Sequence, residues 1–473
     1  MFWFEQEWSG VAEASGSTVG SREDFPPEAR NAIIGAIIGW AVDFYDIYLP
    51  AGALTPALVF FLPDTISASI RGTILGIVVV ITLIGRPVGA LIFGHFGDVI
   101  GRKRSALIAI AGFGVMTLLI AVMPGYATWG LAAVIILIAL RLIGGIFMGG
   151  EYTAANPLAM EYTPRRFRGI VGGGIQSAYP VSAVFVFLIT ALVYTIAPLG
   201  GVHSAYVQWG WRIPFFIGGG LALAFLVYYW KTVQESKLWE EAAKQTEVKA
   251  PLKVLFTGQN FRILAQVFLM LTGLWFMSQM TATFLVPLLT TVLKLPAGSV
   301  TLAMLFANIA LIFAFLAVAQ LGQKFGRRPL LMLGGLWTLS VGAAIYYFMI
   351  SNVAAKGPLA LSLALGAAGL VIVTAPWAQA TTYVTERFPT GIRASAYGVG
   401  YSLAVIIPGF YNFYLLGLSK IIPYAYGTVV IVFLGGLLLF LGALIGPETR
   451  HVEFTSEALD VVESREAAAA QPS

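Results

Sequence analysis

Twelve separate runs of predominantly apolar residues, each about twenty residues or longer, constrain this chain more than any other feature. They fall at roughly 31–60, 72–95, 105–124, 130–160, 169–197, 212–231, 261–290, 300–321, 330–350, 358–385, 394–416 and 425–446. A helix needs about 20 apolar residues to cross the hydrocarbon core of a bilayer. The pattern therefore predicts an all-α membrane protein with twelve transmembrane helices. Composition agrees, since 58% of the 473 residues are hydrophobic and only 11% are charged. A water-soluble domain carries about a quarter charged residues. Several runs contain Pro50, Pro56, Pro180, Pro287, Pro376 or Pro408, which membrane helices tolerate as kinks.

Basic residues orient the spans. With both termini in the cytoplasm, most of the 28 Lys and Arg residues lie on that side, including Arg102-Lys103-Arg104, Arg165-Arg166-Arg168 and Lys324-Arg327-Arg328. Arg71, Arg212, Lys294, Lys356 and Lys420 fall outside, and Arg86 and Arg141 within the membrane. The opposite orientation breaks the positive-inside rule. Residues 1–30 are polar, with Pro26 and Pro27 and no basic-then-apolar cleavable leader, and read as a cytoplasmic tail. Localisation in the inner (plasma) membrane follows as the expectation, and the net charge of +5 is no nucleic-acid signature because it is dispersed among short loops.

The stretch from Lys231 to about Asn260 is polar and charge-laced, with Glu235, Glu240, Glu241, Lys244, Glu247 and Lys249. It divides six runs from six and reads as an interfacial linker. The expected organisation is a tail (1–30), a six-helix bundle (31–231), a cytoplasmic linker (232–260), a second bundle (261–446) and a cytoplasmic tail (447–473). A repeat supports the division. A shift of 225 residues places Gly97 on Gly322, Gly101 on Gly326, Arg102 on Arg327, Lys103 on Arg328, Glu161 on Glu386, Pro164 on Pro389 and Arg168 on Arg393. Two parallel, pseudo-symmetric six-helix halves are a transporter architecture with substrate bound between them.

The motif between the second and third runs is Gly94-His-Phe-Gly-Asp-Val-Ile-Gly-Arg-Lys-Arg104. Glycines allow a sharp turn, Asp98 can cap a helix or pair with Arg102, and the basic run suits an anionic leaflet. This segment resembles the loop motif of the major facilitator superfamily. With the preceding Arg86-Pro87-Val88-Gly89-Ala90 it is similar to the metabolite:proton symporters, the relatives of the α-ketoglutarate, shikimate and proline/betaine permeases. Asp43-Phe44-Tyr45-Asp46, Gly149-Gly150-Glu151 and Glu161 to Gly169 resemble that group too, and Pro447-Glu448-Thr449-Arg450 resembles the end of sugar-porter-like members. The resemblance covers nearly the whole chain and implies the major facilitator fold. Departures are Gln323 in place of the acid in the second loop copy, Glu151-Tyr152-Thr153 where relatives carry Trp and Gly, and a fifth run without the Gly-Pro pattern of drug antiporters. The last tilts the reading toward uptake.

Ionisable residues within a bilayer are costly and mark function by default. Here they are Asp43, Asp46, Arg86, Arg141 and Glu151, all in the first half. Asp43 and Asp46 are three apart and share a helix face, and two carboxylates that close and shielded from water resist double ionisation. The candidate proton-coupling residues are therefore Asp43, Asp46 and Glu151. Arg141 lies about 15 Å along its helix from Glu151, so its counter-ion is expected from another helix, the first being a plausible source. The second half offers Gln266, Trp275, Gln279, Asn308, Trp377, Gln379, Tyr383, Tyr401, Tyr411 and Asn412 instead. The candidate substrate-binding set is Arg141, Tyr45, Tyr152, Asn156, Gln279, Trp377, Gln379 and Tyr383. The candidate gating set is Arg86, Gly97, Asp98, Gly101, Arg102, Glu161, Arg168, Glu386 and Arg393. Each has a bland alternative: Arg86 or Arg141 as an inter-helix pin, Glu151 as a helix brace, the aromatics as lipid-belt or packing residues.

The leading expectation is a proton-coupled symporter of a small organic anion, a mono- or dicarboxylate, working by alternating access. The rival is a carrier of a zwitterion or quaternary ammonium compound held by a Trp/Tyr cage. A membrane sensor is a third and weaker reading. An enzyme is not expected, because the chain has no cysteine and shows no paired-histidine metal spacing, nucleophile motif or nucleotide loop. No cofactor or metal is expected. The expected partners are a small-molecule substrate, protons and the bilayer, with no nucleic acid and a functional monomer.

Overall fold

The computed structural model describes residues 27–63, 66, 68–235, 240 and 251–454. The first tail to residue 26, most of the charged linker and the tail beyond Phe454 lie outside the described residues. Among the described residues, twelve helices are long and apolar enough to cross a membrane: α1 (Ala29–Leu54), α2 (Val80–Val99), α3 (Arg102–Ala121), α4 (Leu131–Glu161), α5 (Arg165–Ile196), α6 (Tyr206–Thr232), α7 (Gly258–Thr283), α8 (Ser299–Phe325), α9 (Arg327–Ala354), α10 (Leu359–Glu386), α11 (Thr390–Leu418) and α12 (Tyr424–Ile445). Only structures that satisfy every backbone polar group internally are stable in hydrocarbon, and the helix does so within one segment. Large apolar side chains such as Leu192, Phe313 and Phe413 point outward, each about two-thirds exposed, where lipid tails are the fitting neighbours.

Helices α1 to α6 pack on one another, as do α7 to α12, and α5 meets α8 while α2 meets α11 across the seam. Within the first bundle α2 and α4 come unusually close. A Cβ on Gly149 would strike the backbone of Arg86, and one on Gly89 the backbone of Ile146. Glycine at these crossings lets the two backbones touch.

Several spans change winding where the apolar runs carry proline or small polar residues. The chain of α1 tightens and widens beyond Leu49, through a π turn at Pro50–Leu54 and a 3-10 segment at Thr55–Phe61. The run read as 31–60 is thus a regular helix only in its first part, since Pro50 has no N–H to give. α7 contains a π turn at Gln279–Thr283, and α10 a 3-10 turn at Ala375–Gln379 that opens at Pro376. Such irregularities concentrate at functional sites.

The repeat seen in sequence is an atomic one. Gly101 and Gly326, which begin α3 and α9, hold φ values of 107° and 109°, in the region open to glycine. Arg102 donates to the Gly97 carbonyl at 2.8 Å, and Arg327 to the Gly322 carbonyl at 2.8 Å. A carboxylate then caps each helix start: Glu235 accepts from the backbone N–H of Arg102 and Lys103, and Glu448 from that of Arg327 and Arg328. Of the two roles open to Asp98, the cap is taken by Glu235, and Asp98 pairs with Arg102.

Candidate functional site

Two layers of polar side chains cross this apolar molecule. The first lies at the end of the bundles that carries the two repeated loops, here called the charged end. Asp98 accepts from the Ser395 N–H at 2.9 Å and from its hydroxyl at 2.5 Å, joining α2 to α11. Arg102 faces Asp98 at 3.2 Å and Glu161 at 3.6 Å, and donates to the Thr390 carbonyl at 2.8 Å. Arg393 reaches Glu161 of the other bundle at 2.8 Å. In the second copy Arg327 faces Glu386 at 3.3 Å. Gln323, standing where the first copy has Asp98, crosses the seam to accept from the Gly169 N–H at 2.9 Å. Gly97 packs on Ala394. Segment 447–454 adds a strap. Thr449 donates to Glu386, Arg168 to the Val452 carbonyl, and the Phe454 ring lies between the guanidinium groups of Arg168 and Arg393 at 3.5 and 4.0 Å. Gly97, Asp98, Gly101, Arg102, Glu161, Arg168, Glu386 and Arg393, grouped as gating candidates from sequence, are thus gathered at one end of the molecule, where the bundles are pinned together.

Arg86 is not with them. It sits deep between α1, α2 and α4, 1% exposed, with its guanidinium 3.7 Å from Asp43 and 4.6 Å from the ring centre of Tyr152. Glu151 lies beside the same pair. Asp43 and Glu151 are fully buried, and neither their four oxygens nor the three guanidinium nitrogens of Arg86 have a hydrogen-bond partner. Buried polar groups are normally satisfied. The cluster thus sets one cation against two carboxylates, with Arg86 and Asp43 in salt-bridge contact and Glu151 beside them.

Asp46 behaves differently from Asp43, although they share a helix. Its carboxylate takes Arg141 at 2.6 Å and the Thr117 hydroxyl at 2.6 Å, and its backbone carbonyl takes a second Arg141 nitrogen at 3.3 Å. The counter-ion sought for Arg141 is therefore Asp46, and the pair pins α1, α3 and α4 within one bundle. The structure does not bring Arg141 to the central cavity. Nor does it bring Tyr45 there, whose hydroxyl donates to the Pro214 carbonyl of α6 at 3.1 Å.

That cavity, a narrow space of about 20 Å³ with room for little more than a water molecule, is lined by Phe44, Gln176, Tyr179, Trp275, Ser278, Phe315, Thr374, Trp377 and Tyr401 from both bundles. None of these carries a formal charge. Trp275, Trp377 and Tyr401 form an aromatic cluster with ring centres 5.1 to 5.5 Å apart. Tyr401 also packs on Trp40 at 5.6 Å and on Tyr152 at 5.4 Å, which links the cavity wall to Arg86. Below it, Tyr152 bonds to Ser402 across the seam, Asn156 donates to the Tyr397 hydroxyl at 3.0 Å, and Gln176 donates to Thr381 at 3.2 Å. Of the substrate candidates only Trp377 lines the cavity. Tyr152 and Asn156 lie one layer beneath. Gln279 accepts from Thr283, Gln379 donates to the Val318 carbonyl, and Tyr383 meets Gln266 and the Pro447 carbonyl near the charged end. Sequence reasoning passed over Gln176, Tyr179, Ser278 and Thr374. The Gln176-Ser177 pair inside an otherwise apolar span was the available signal.

The comparisons with known proteins agree with this architecture. The profile of the Major Facilitator Superfamily matches residues 36–412. The inner membrane metabolite transport protein YhjE of Escherichia coli (strain K12) is 28% identical over 93% of this chain and 99% of its own. The shikimate transporter of the same organism is 31% identical over 87% of this chain and 92% of its own. The proline/betaine transporter of Salmonella typhimurium (strain LT2) is 28% identical over 80% and 76%. Among solved structures, the proton:xylose symporter XylE bound to 6-bromo-6-deoxy-D-glucose superposes with a TM-score of 0.70 at 21% identity, over 93% of this chain and 99% of that one. These relatives are transporters rather than enzymes, and the twelve-span chain belongs to the major facilitator superfamily.

Proposed function

We propose that the protein is a proton-coupled symporter that takes up a small carboxylate-bearing metabolite. The observation that carries the reading is Arg86, a permanent cation buried with Asp43 and Glu151 and lacking any hydrogen-bond partner. Charge counting gives the coupling. The empty site holds two carboxylates against one guanidinium. A substrate carboxylate alone would make three against one in a low-dielectric interior, which is strongly unfavourable. A proton on Asp43 or Glu151 restores the original balance, so proton and substrate enter together. Arg86 can then turn from the neutralised acid to the substrate carboxylate, for which its fork is suited. Alternating access follows as a rocking of bundle 31–231 against bundle 261–446 about the cavity, by a monomer. The charged end is placed in the cytoplasm on the strength of its basic loops.

One observation favours a more specific substrate. The cavity wall is aromatic and uncharged, as suits an onium group held by cation–π contact. A betaine-like zwitterion would place its onium against Trp275, Trp377 and Tyr401 and its carboxylate toward Arg86. The test is uptake into proteoliposomes, with and without an imposed inward proton gradient, of shikimate, 2-oxoglutarate, proline and glycine betaine, with choline and xylose as compounds without a carboxylate. Gradient-dependent accumulation of a carboxylate supports the symport reading. Within it, preference for glycine betaine over shikimate selects the onium form. Uptake indifferent to the gradient, or confined to compounds without a carboxylate, sinks it.

A further inference from the structure

Beside the acids at the centre of this reading, inside the first bundle and apart from the cavity lining, lies a further set of buried polar groups. Gly35 and Gly39 of α1 are four residues apart and lie on one helix face. A Cβ on Gly39 would run into the Glu151 carboxylate and the Phe225 ring, and one on Gly35 would meet the Tyr229 ring at 3.3 Å and Val233 at 3.1 Å. The two glycines thus make room, inside the first bundle, for Glu151 of α4 and Tyr229 of α6. Both side chains are buried, 0% and 1% exposed. Neither the Glu151 oxygens nor the Tyr229 hydroxyl has a hydrogen-bond partner. The charged and titratable groups that face Glu151 are Asp43 from α1, Arg86 from α2 and Tyr229 from α6, and those that face Tyr229 are Glu151 and Glu235. Glu235 follows α6 at the charged end, where it is partly exposed and caps α3 through Arg102 and Lys103. An acid in the core, an unpartnered phenol beyond it and a carboxylate at the surface therefore follow one another between α1, α4 and α6. Orphaned buried oxygens in a row are the places where ordered water completes a chain.

We propose that Tyr229 relays the coupled proton from Glu151 through the interior of the first bundle to Glu235, separately from the substrate. The inference rests on the proton-coupling reading above. The Glu151 O–H bond breaks as its proton passes to a water oxygen between Glu151 and Tyr229, and that water gives one of its own protons to the Tyr229 oxygen. Tyr229 gives up its hydroxyl proton on one side and receives one on the other, so it ends unchanged. The proton leaves on the Glu235 carboxylate and from there to water. The route keeps the proton off the cavity wall, whose lining residues do not include Glu151.

Tyr229→Phe keeps the ring against Gly35 and removes a hydroxyl that bonds to nothing, so folding is preserved. The full chain in proteoliposomes is assayed with the panel compound that the wild type accumulates and with pyranine reporting lumenal pH. Gradient-driven uptake and lumenal acidification should fall at least tenfold in Tyr229→Phe, with KM and counterflow exchange within twofold of wild type, because exchange releases no net proton. Tyr229→His, which restores a relaying group, should recover at least a third of the lost rate. Wild-type rates in Tyr229→Phe, an equal loss of exchange, or no gain in Tyr229→His each overturn the relay. If the wild type responds to the gradient and Tyr229→Phe does too, only the relay fails. If the wild type ignores the gradient, the coupling reading fails with it.

Discussion

Two arginines buried in the same bundle differ in what surrounds them, and the difference decides their predicted roles. Arg141 is held by Asp46 and, through it, by Thr117. Arg86 has an acid at 3.7 Å and an aromatic face but no hydrogen bond. Removing one member of a buried ion pair leaves the other uncompensated, at a cost of about 3–5 kcal/mol. Arg141→Gln should therefore lower the amount of folded protein and its melting temperature, while the surviving fraction binds substrate with unchanged affinity. A tenfold or greater loss of affinity in stable Arg141→Gln protein would contradict this placement. Arg86→Lys keeps the charge but loses the two-pronged contact, and should raise KM roughly ten- to a hundredfold, from the worth of a charged hydrogen bond. Asp43→Asn and Glu151→Gln test the coupling acids directly. At least one of them should abolish accumulation against a gradient and spare counterflow, and full accumulation in both variants would remove the cluster from the mechanism.

At the scale of elements, α2 and α4 set the geometry of the cluster. Their glycine-lined crossing brings the backbone of Arg86 against Gly149, two residues from Glu151. A methyl group at Gly149 meets backbone there, not a flexible side-chain tip, so the helices must separate. Gly149→Ala should lower the melting temperature by several degrees, from the about 1–3 kcal/mol cost of overpacking, and should reduce transport even though no charged group is altered. An unchanged melting temperature with normal transport would show that the crossing relaxes freely. Trp275, Ser278 and Thr374 line the cavity from the last regular turns of α7 and α10 before their winding changes, and Trp377 from within the 3-10 turn of α10. The changes in winding thus lie at this wall, beginning at Gln279 and Ala375.

On the scale of the whole molecule, the charged end holds the two bundles together through Asp98–Ser395, Glu161–Arg393 and the strap that includes Phe454. Under the proposed alternating access these contacts part when that end opens, so they are expected to weigh on the rate of conformational change rather than on mid-membrane affinity. Asp98→Asn should lower the maximal transport rate severalfold with little change in binding. Because the chain contains no cysteine, a single cysteine introduced near the cavity can report the change. Its labelling from the charged end should rise in Phe454→Ala and fall when substrate is withheld from the wild type. Labelling in Phe454→Ala indistinguishable from wild type would remove the strap from the gate.

How much of this was legible beforehand depends on the range of the interaction. The number of spans and the division into halves follow from hydropathy and from a repeat at a constant offset, both properties of neighbouring residues along the chain. The charged-end cluster was legible too, because its residues recur at one offset in two copies of one turn, Gly101 matching Gly326 and Arg102 matching Arg327. The pairing of the buried charges was not. Asp43 and Asp46 are equivalent by helical spacing, yet one is satisfied by Arg141 and Thr117 and the other is left facing Arg86. Their side chains diverge toward different neighbouring helices, and which helix stands there is decided by packing across the bundle. The same holds for Gln176 and Thr374, polar residues within apolar spans that only the meeting of two bundles turns into a cavity wall. The sequence alone determined that charges would be buried in the first half, since a bilayer leaves them nowhere else to go. Which of them would be tied and which left without a bond was settled only by the tertiary structure, because hydrogen bonds reach about 3 Å and their partners lie scores of residues away.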